Sequence, residues 1–481
     1  MLKKILSASI TALLGVMIAV SPVKAAESKS VDITVTSSTG SNTAALVDDR
    51  YSTSYDLVAG ETITVKSATP FQGLYIEWYV EPSAWKLNAA GKAYDCGQYG
   101  FRHEWVQLQG NATEATLTMP TANSMCNIYA YSEGTLPSTV QVWKPRCEKA
   151  DFLVVSTHAD DEILFLGGVL AEYAGERELA VQVAYFSNYD TSEIIREHEK
   201  LDGLWAIGVR NYPENADFGD TYSDDLQAAI NKYGYEETMA WVTSMIRKYK
   251  PLVLVTQDKD GEYGHGTHML VSKAVLDSAN VSNDPSKYPE SAQKYGAYDV
   301  PKTYIHLWPE NKIKLDCRKA LTKFGGQNAV DVASAAYKWH VSQQYCWFYV
   351  SDTYEYSIAE FGLARTTVGP DKNGNEMLEN VVTYEAQSKA EAEQKAKEEE
   401  SRKAEQQQTA NNSSDSKGGD NNDASEDNES TFGKVIKVIV IVAVVILVVL
   451  FVASFAYVTY VKQQQKKRRR RRRRSQNIKR R

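Results

Sequence analysis

From Asp151 onward the chain alternates between two hydrophobic patterns. Near-continuous apolar runs, "FLVVST", "LAVQVAYFS", "PLVLVTQ" and "TYIHLW", are separated by stretches of helical period such as "EIIREHEKLDGLWAIG" and "EETMAWVTSMIRKYK". Strands without polar alternation are buried on both faces, and their alternation with helices indicates parallel pairing. We therefore predict an α/β domain with a mostly parallel sheet over residues 148–383, which is long enough to bury a complete core.

Residues 26–147 follow a different pattern, in which apolar and polar residues alternate within short runs. "SVDITVTS", "ETITVKS" and "CNIYAYSE" are examples, with turn residues between the runs. This spacing predicts an all-β sandwich or jelly roll. "ALVDDRYSTSYDL" and "AYSEGTLPSTVQVWKP" resemble the discoidin-type jelly roll, which implies a module that binds glycans or surfaces. Tyr55 and Trp85 are then either exposed aromatic contacts for that purpose or ordinary core and rim residues.

Both ends of the chain carry membrane signals. Residues 1–25 combine a basic start, an apolar stretch and a small-residue cleavage site, which is typical of a secretory signal peptide; an uncleaved anchor is the alternative. Residues 434–461 contain the uncharged run Val438–Val461, long enough to cross a bilayer as a transmembrane helix. The tail 462–481 holds thirteen basic residues and no acid, so the positive-inside rule places it in the cytoplasm. We expect a single-pass protein of a bacterial, most simply Gram-positive, cell surface.

Between the α/β domain and the membrane signal, residues 384–433 are expected to form a spacer. "AQSKAEAEQKAKEEESRKAEQQQ" is a charged helix former, and "TANNSSDSKGGDNNDASEDNES" has the composition of disordered chain. The formal net charge is −7, and most of the chain is more acidic still because thirteen of its 54 cations lie in the tail. This balance excludes a nucleic-acid-binding ectodomain, and the tail's position favours contact with anionic lipid.

The five cysteines provide no thiolate metal site, because none of them forms a CxxC pair. In an oxidising compartment we expect two disulfide bridges, Cys96–Cys126 and Cys317–Cys346, which leave Cys147 unpaired.

The stretch "DFLVVSTHADDEILFLGG" carries four candidate site residues directly after a buried strand: His158, Asp160, Asp161 and Glu162. Clustered carboxylates repel one another unless a cation lies between them. His158 and Asp161 are three residues apart across a strand-to-helix turn, so both can reach one ion. Catalytic zinc takes three protein ligands, and a third is therefore expected elsewhere in the chain.

His265 and His268 are the candidates for that third ligand. They follow the strand "PLVLVT" within "QDKDGEYGHGTHML", and the chain has only seven histidines. If the two strands are neighbours, both segments lie at the same carboxyl edge of the sheet, where α/β proteins bind ligands. The alternative is that each histidine only caps or hydrogen-bonds its own loop.

"THADDE" and "GEYGHGTH" together resemble the two motifs of the PIG-L/LmbE-like zinc N-deacetylases, His-Pro-Asp-Asp-Glu and His-x-x-His. The resemblance covers the α/β domain and implies a Rossmann-like fold. It also implies metal-dependent removal of the acetyl group from an N-acetylglucosamine (GlcNAc) unit. His158, Asp161 and His268 would hold Zn²⁺, or Fe²⁺, which the same ligands accept. Asp160 would be the general base, and a protonated His265 would stabilise the developing oxyanion.

Three further side chains have expected roles. Glu162 would support a metal ligand. Arg196, in "IIREHEK", would either bind a substrate hydroxyl or phosphate or pair with Glu193 or Glu199 on the helix surface. His198 would be structural.

The motifs depart from the family pattern at Ala159, Gln257, Gly266 and Thr267. Without an acid at Thr267, His265 lacks its usual carboxylate partner, which Asp258, Asp260 or Glu262 would have to replace, and its pKa would be lower. We expect a cell-surface de-N-acetylase acting on a GlcNAc-containing glycan or glycolipid. The alternatives are a catalytically impaired glycan-binding adhesin or scaffold, and a zinc amidase acting on a non-sugar amide.

Overall fold

The computed structural model describes residues 26–414, and side chains up to residue 406. None of the helices within residues 26–414 is both long and apolar enough to cross a membrane. The predicted signal peptide, the predicted transmembrane segment and the basic tail lie outside the described residues.

The N-terminal part consists of eight antiparallel strands. They are β1 Ser30–Val31, β2 Thr34–Ser37, β3 Tyr55–Leu57, β4 Thr62–Trp78, β5 Trp85–Ala89, β6 Lys92–Cys96, β7 His103–Thr118 and β8 Asn123–Tyr131, with a 3₁₀ turn at Ala44–Val47. Hydrogen bonds join all eight strands into one sheet. The long strands β4 and β7 pair with each other along two separate stretches, and the register shifts between these stretches. One half of β4 also pairs with β2 and the other with β8. Side chains from both halves, such as Ile63 and Ile76, share one core.

The aromatic residues proposed as surface contacts in this part are buried. Trp85 is 1% exposed and shares the inward face of β5 with Leu87 and Ala89. Tyr55 is also buried, and its hydroxyl donates to Glu61 at 2.6 Å. Both are core residues, which is the second of the two alternatives that the sequence left open.

The second part has the predicted α/β composition. Its strands are β9 Phe152–Ser156, β10 Val181–Asn188, β11 Glu214–Gly219, β12 Val253–Thr256, β13 Lys302–His306, β14 Lys312–Lys314 and β15 Glu360–Thr366. Its helices are α1 Asp161–Leu164, α2 Gly167–Val169 with a π-helical turn Leu170–Glu176, α3 Ile194–Ala206, α4 Leu226–Tyr233, α5 Tyr235–Tyr249, α6 Gly266–Val281, α7 Pro289–Tyr295 and α8 Ala329–Tyr337. Short 3₁₀ turns lie at Thr322–Phe324 and Val341–Gln343.

The second sheet has the strand order β11-β10-β9-β12-β13-β15-β14. The first five strands are parallel, and β15 runs antiparallel to both of its neighbours, β13 and β14. Alternate residues of β9 enter separate cores: Phe152 and Val154 pack on one face, Leu153 and Val155 on the other. The sheet is therefore buried on both faces, as its unbroken apolar strands predict.

The helix that follows β9 is interrupted rather than continuous. Gly167 and Gly168 lie at the interruption, where a Cβ on Gly168 would come within 2.3 Å of the Ile358 carbonyl oxygen. Glycine lets the backbone of residue 358 approach this closely.

The last described helix, α9 Tyr384–Ser414, begins where the charged helix former was predicted. It runs into the start of the segment expected to be disordered, so that expectation is wrong for residues 409–414.

All five cysteines are free in the structure, so the expected bridges Cys96–Cys126 and Cys317–Cys346 are wrong. Cys126 is buried beside the side chain of His198, with Sγ 3.8 Å from Nε2. Cys317 packs into the core of the α/β part. Burial in apolar surroundings raises the pKa of both thiols to about 12.

Candidate metal and catalytic site

The loops after β9 and β12 meet at one point of the second sheet. β9 and β12 are adjacent and parallel, with Phe152 opposite Val253 and Val155 opposite Thr256. The chain order reverses here, because β10 and β11 lie on one side of β9 while β12 and β13 lie on the other. Ligands bind at such a switch point, beyond the carboxyl ends of the strands. Gln257 links the two loops, since its side-chain oxygen accepts from the Thr157 backbone N–H at 2.7 Å.

Three buried side chains bring their polar atoms together at this point. His158 Nδ1 lies 2.9 Å from Asp161 Oδ2 and 3.0 Å from His268 Nε2, and His268 Nε2 lies 3.1 Å from Asp161 Oδ2. Ligand atoms of a tetrahedral zinc ion are about 3.3 Å apart, given bonds of about 2.0–2.2 Å. The triangle therefore has nearly the size of one face of such a site.

A second set of three includes His265 in place of Asp161. His158, His265 and His268 present nitrogen atoms that lie within 4.8 Å of one another. The set with Asp161 is tighter, because each of its three distances is close to 3 Å. The set of His158, Asp161 and His268 is therefore the more compact candidate for three metal ligands, and His265 lies beside it.

The ligand atoms are held in place by further hydrogen bonds. The His158 backbone N–H donates to Asp161 Oδ2 at 2.8 Å. His268 Nδ1 lies 2.7 Å from Glu262 Oε2, so Nδ1 can keep its proton while Nε2 would give up its own to a bound metal ion. This carboxylate–histidine arrangement is usual around protein-bound metals. Burial alone would raise the pKa of Asp161, but the contacts with His268 and His158 outweigh burial and hold this pKa well below its usual range.

Glu262 belongs to the site but had no assigned role as the partner of a ligand. The sequence predicts Glu262 only as a possible partner of His265, whereas its oxygens contact His268 and, at 3.0 Å, His306 Nδ1. Burial opposes ionisation, but hydrogen bonds with these two histidines lower the pKa of Glu262. The available signal was its position in "DGEYGHGTH", six residues before a ligand in a loop that has to turn back on itself.

Glu162, expected to support a metal ligand, instead contacts the neighbouring Asp160. Its Oε2 accepts from the Asp160 backbone N–H at 2.9 Å, and its Oε1 lies 3.2 Å from His340 Nε2. Glu162 therefore orders the turn that carries Asp160.

Asp160 has the features of a general base. Its backbone has φ 128°, a conformation that L-residues rarely adopt and that turns the residue out of the helix it precedes. Burial raises the pKa of Asp160 to about 7, and the adjacent Asp161 adds to this rise. A carboxylate that titrates near neutral pH can both accept and return a proton.

Arg196 lines the cleft but is held by protein groups. Its Nη2 donates to the Ala159 carbonyl at 2.8 Å and lies 3.5 Å from Asp160 Oδ1. Its Nη1 lies 3.4 Å from Asp220 and 4.0 Å from Glu193. The guanidinium therefore orients the loop of Asp160, with Glu193 as its most distant partner.

Asp220 was not identified from the sequence. It follows the end of β11, and its Oδ1 lies 3.4 Å from His158 Nε2. Burial alone would raise the pKa of Asp220, but the contacts with His158 and Arg196 outweigh burial and lower it to about 2. Its position after a strand at the same edge of the sheet was the available signal.

His265 caps helix α6 through its imidazole ring. Its Nδ1 accepts from the Thr267 backbone N–H at 3.2 Å, which places the ring hydrogen on Nε2. Burial, together with His158 and His268, lowers the pKa of His265 to about 3. This direction agrees with the lower pKa expected for His265 without an acid at Thr267, and it favours a neutral N–H donor over a protonated imidazole. The side chains of this site line an open cleft of about 180 Å³.

Residues 153–279 match the model of the GlcNAc-PI de-N-acetylase family, PIG-L. The chain is 28% identical to 1D-myo-inositol 2-acetamido-2-deoxy-alpha-D-glucopyranoside deacetylase 1 of Catenulispora acidiphila, over 33% of this chain and 56% of the relative. It is 24% identical to the deacetylase of that name from Geodermatophilus obscurus, over 34% and 63%. The chain thus spans only part of the length of these relatives. Among solved structures, N,N'-diacetylchitobiose deacetylase of Pyrococcus horikoshii aligns with TM-score 0.32 and 16% identity, over 40% of this chain and 71% of the other.

Proposed function

We propose that this chain, whose residues 153–279 match the model of the PIG-L family, is a metal-dependent hydrolase that removes the acetyl group from a GlcNAc unit of a glycan or glycoconjugate. The observation that carries the proposal is the close triangle of His158, Asp161 and His268 beside Asp160. Two imidazoles and one carboxylate are the donor set that catalytic zinc accepts, and Fe²⁺ is compatible with it.

The reaction adds water to the acetamide carbonyl, breaks the C–N bond and yields acetate and a free amine. A zinc ion held by the three ligands would polarise the carbonyl and acidify the attacking water. Asp160 takes a proton from that water and returns it to the leaving amine. Its pKa near 7 suits both steps.

His265 and Arg196 support these proton transfers. The neutral Nε2–H of His265 donates to the carbonyl oxygen as negative charge develops on it, a contribution of about 3 kcal/mol for a well-placed donor. Arg196 keeps Asp160 directed into the cleft through its contacts with Asp160 and Ala159.

The proposal includes the location of the enzyme. A signal at residues 1–25, a span at 434–461 and a cytoplasmic basic tail would display the α/β domain outside the cell. Protease treatment of intact cells is expected to remove the α/β domain and spare an epitope placed after Arg481. Protection of the α/β domain would contradict the location and leave the reaction untouched.

The decisive experiment measures acetate released by the full-length purified protein. Substrates are GlcNAc, its β-1,4-linked oligomers, cell-wall polymers and GlcNAc-containing glycolipids, each with zinc and with chelator. We expect chelator-sensitive release from at least one of them. Acetate release only from non-sugar amides would assign the chain to the amidases, and no release from any substrate with one metal per chain would contradict catalysis.

The variant Asp160→Asn tests the assignment of the base. It is expected to keep the metal and to lower kcat by about a thousandfold, because an amide cannot accept the proton. Elemental analysis of the same preparation separates loss of the base from loss of the ion. Wild-type turnover by Asp160→Asn would remove Asp160 from the reaction.

A further inference from the structure

The mouth of the cleft is surrounded by exposed aromatic side chains. Tyr222 is 63% exposed, Tyr345 84% and Trp347 62%. Tyr222 and Tyr345 line the cleft itself, together with Tyr263 and Phe348. We call these five residues the aromatic rim. Water-exposed aromatic rings gathered in one place mark an interaction surface, because isolated ones are normally scattered.

The rim is continuous with the catalytic residues. The Tyr222 ring centroid lies 4.7 Å from that of His265, and the Tyr263 ring lies 5.8 Å from the same imidazole. Phe348 packs against Tyr263 at 4.5 Å and against Trp347 at 4.1 Å. A path of touching rings therefore leads from the floor of the cleft to the exposed indole of Trp347.

The cleft is too small to enclose an extended substrate. Its volume of about 180 Å³ lies below the roughly 300–1,000 Å³ of pockets that bury drug-sized ligands. A substrate longer than the acetamido sugar that reaches Asp160 and His265 therefore has to leave the cleft across the rim.

The chemistry of the rim selects what can lie there. Its side chains are uncharged. Among the described residues, Arg196 is the one arginine or lysine that lines the cleft, and it is engaged by Asp160 and Asp220. Aromatic rings offer flat apolar faces, and the tyrosines add hydroxyls at their edges. Pyranose rings have the complementary form, with apolar C–H faces and polar edges.

We propose that the aromatic rim binds further sugar units of a neutral glycan chain, which makes an oligomeric GlcNAc glycan the preferred substrate of this site. This inference rests on the proposed deacetylase function. A bilayer surface is the competing occupant of exposed Trp and Tyr, and the glycan is favoured because the rim continues directly from the residues that react with a sugar.

The test compares β-1,4-linked GlcNAc oligomers of one to five units as substrates of the full-length protein. We expect kcat/KM to rise with chain length, mainly through a lower KM. Trp347→Ala is expected to lower kcat/KM for the pentamer about tenfold, the effect of losing one aromatic stacking contact. It should change kcat/KM for the monosaccharide less than twofold, because Trp347 does not line the cleft. Trp347→Phe should restore most of the loss.

Tyr99→Ala is the matched control, since Tyr99 is an exposed aromatic of the N-terminal part, 54% exposed. It should leave the chain-length dependence unchanged. A kcat/KM that does not depend on chain length, or a dependence that survives in Trp347→Ala, would overturn the inference while monosaccharide turnover upholds the deacetylase function.

Binding provides a readout that does not need turnover. The dissociation constant of Asp160→Asn for the pentamer, measured by calorimetry, should rise about tenfold when Trp347→Ala is added. An unchanged dissociation constant would overturn the proposal that the aromatic rim binds sugar units, even if no substrate is hydrolysed. Loss of binding to phosphatidylcholine vesicles in Trp347→Ala without any change for the pentamer would assign the surface to lipid and overturn the glycan.

Discussion

Two regions of this molecule bury histidines against carboxylic acids, and they are opposite in charge state. The ligand triangle consists of His158, Asp161 and His268 at the edge of the second sheet. The second region, which we call the interdomain cluster, joins the two parts of the chain and contains His103, His198, Asp202 and Glu77. Because both regions contain histidines and acids, their residue types alone would predict the same role for both.

In the ligand triangle the acid is ionised. Although burial opposes it, the imidazoles hold the pKa of Asp161 well below its usual range. Burial alone would lower the pKa of His268, but the contacts with Asp161 and Glu262 raise this pKa to about 10. Three polar atoms within about 3 Å interact strongly enough to outweigh desolvation.

In the interdomain cluster burial favours the neutral form of every group. Burial raises the pKa of Asp202 well above its usual range and that of Glu77 to about 7. Burial also lowers the pKa of His103 to about 3 and that of His198 well below its usual range. The two imidazoles share one hydrogen bond of 2.8 Å, and Asp202 accepts from Tyr51 at 3.0 Å and from Gln141 at 2.6 Å.

The difference shows that geometry, rather than residue type, decides which cluster can hold a cation. Lone pairs that converge on one point need a positive charge there, whereas acids spread among neutral donors lose their charge to burial. Helix α3 contributes to both regions, with Arg196 at the catalytic cleft and His198 and Asp202 at the interdomain cluster.

The largest expected effect comes from removing one histidine of each region. His268→Gln should reduce bound zinc from one per chain to a small fraction and lower acetate release by at least about a thousandfold, because two ligands do not retain the ion. His198→Gln is the matched control, since it also removes a fully buried histidine. It should lower the melting temperature and keep the metal. Equal loss of zinc in both variants would remove the distinction between the two regions.

A smaller effect is expected from the acids that lie next to the ligand triangle. Glu262→Gln should weaken zinc binding by up to about 100-fold, because the proton on His268 Nδ1 loses its carboxylate partner. Glu162→Gln should leave zinc affinity nearly unchanged and lower kcat, since Glu162 holds the turn of Asp160. Competition with a zinc indicator measures both affinities. The reverse ranking of the two variants would return the supporting role to Glu162.

The general layout could be predicted from the sequence because it depends on periodicity. Unbroken apolar runs separated by helical stretches indicate a parallel sheet, and residues after its strands converge at one edge whatever the loop details. This places His158, Asp161 and His268 near one another before any coordinates are known.

The partners of these residues could not be predicted in the same way. Glu162 and Glu262 differ in role because of loop backbone conformation, including φ 52° at Glu262, which local composition does not encode. The protonation of His265 depends on burial and on two neighbouring imidazoles from different segments. The interdomain cluster arises from long-range packing of Tyr51 and His103 on α3, for which the sequence carries no periodic signal.

The smallest effect concerns the interdomain cluster, whose buried Glu77 makes the free energy of unfolding depend on pH. The unfolded chain releases the proton of Glu77 near pH 4.5, whereas the folded protein keeps it up to about pH 7. The folded state therefore binds more protons in this interval, and the free energy of unfolding falls as pH rises through it. Glu77→Gln cannot ionise, so relative to wild type it should gain about 2 kcal/mol in the free energy of unfolding between pH 5 and pH 7. Urea unfolding at both pH values measures this gain. Exposed Glu114→Gln, as control, should show none, and a Glu77→Gln variant that loses stability relative to wild type as pH rises would mean that Glu77 is charged and that the two regions are alike.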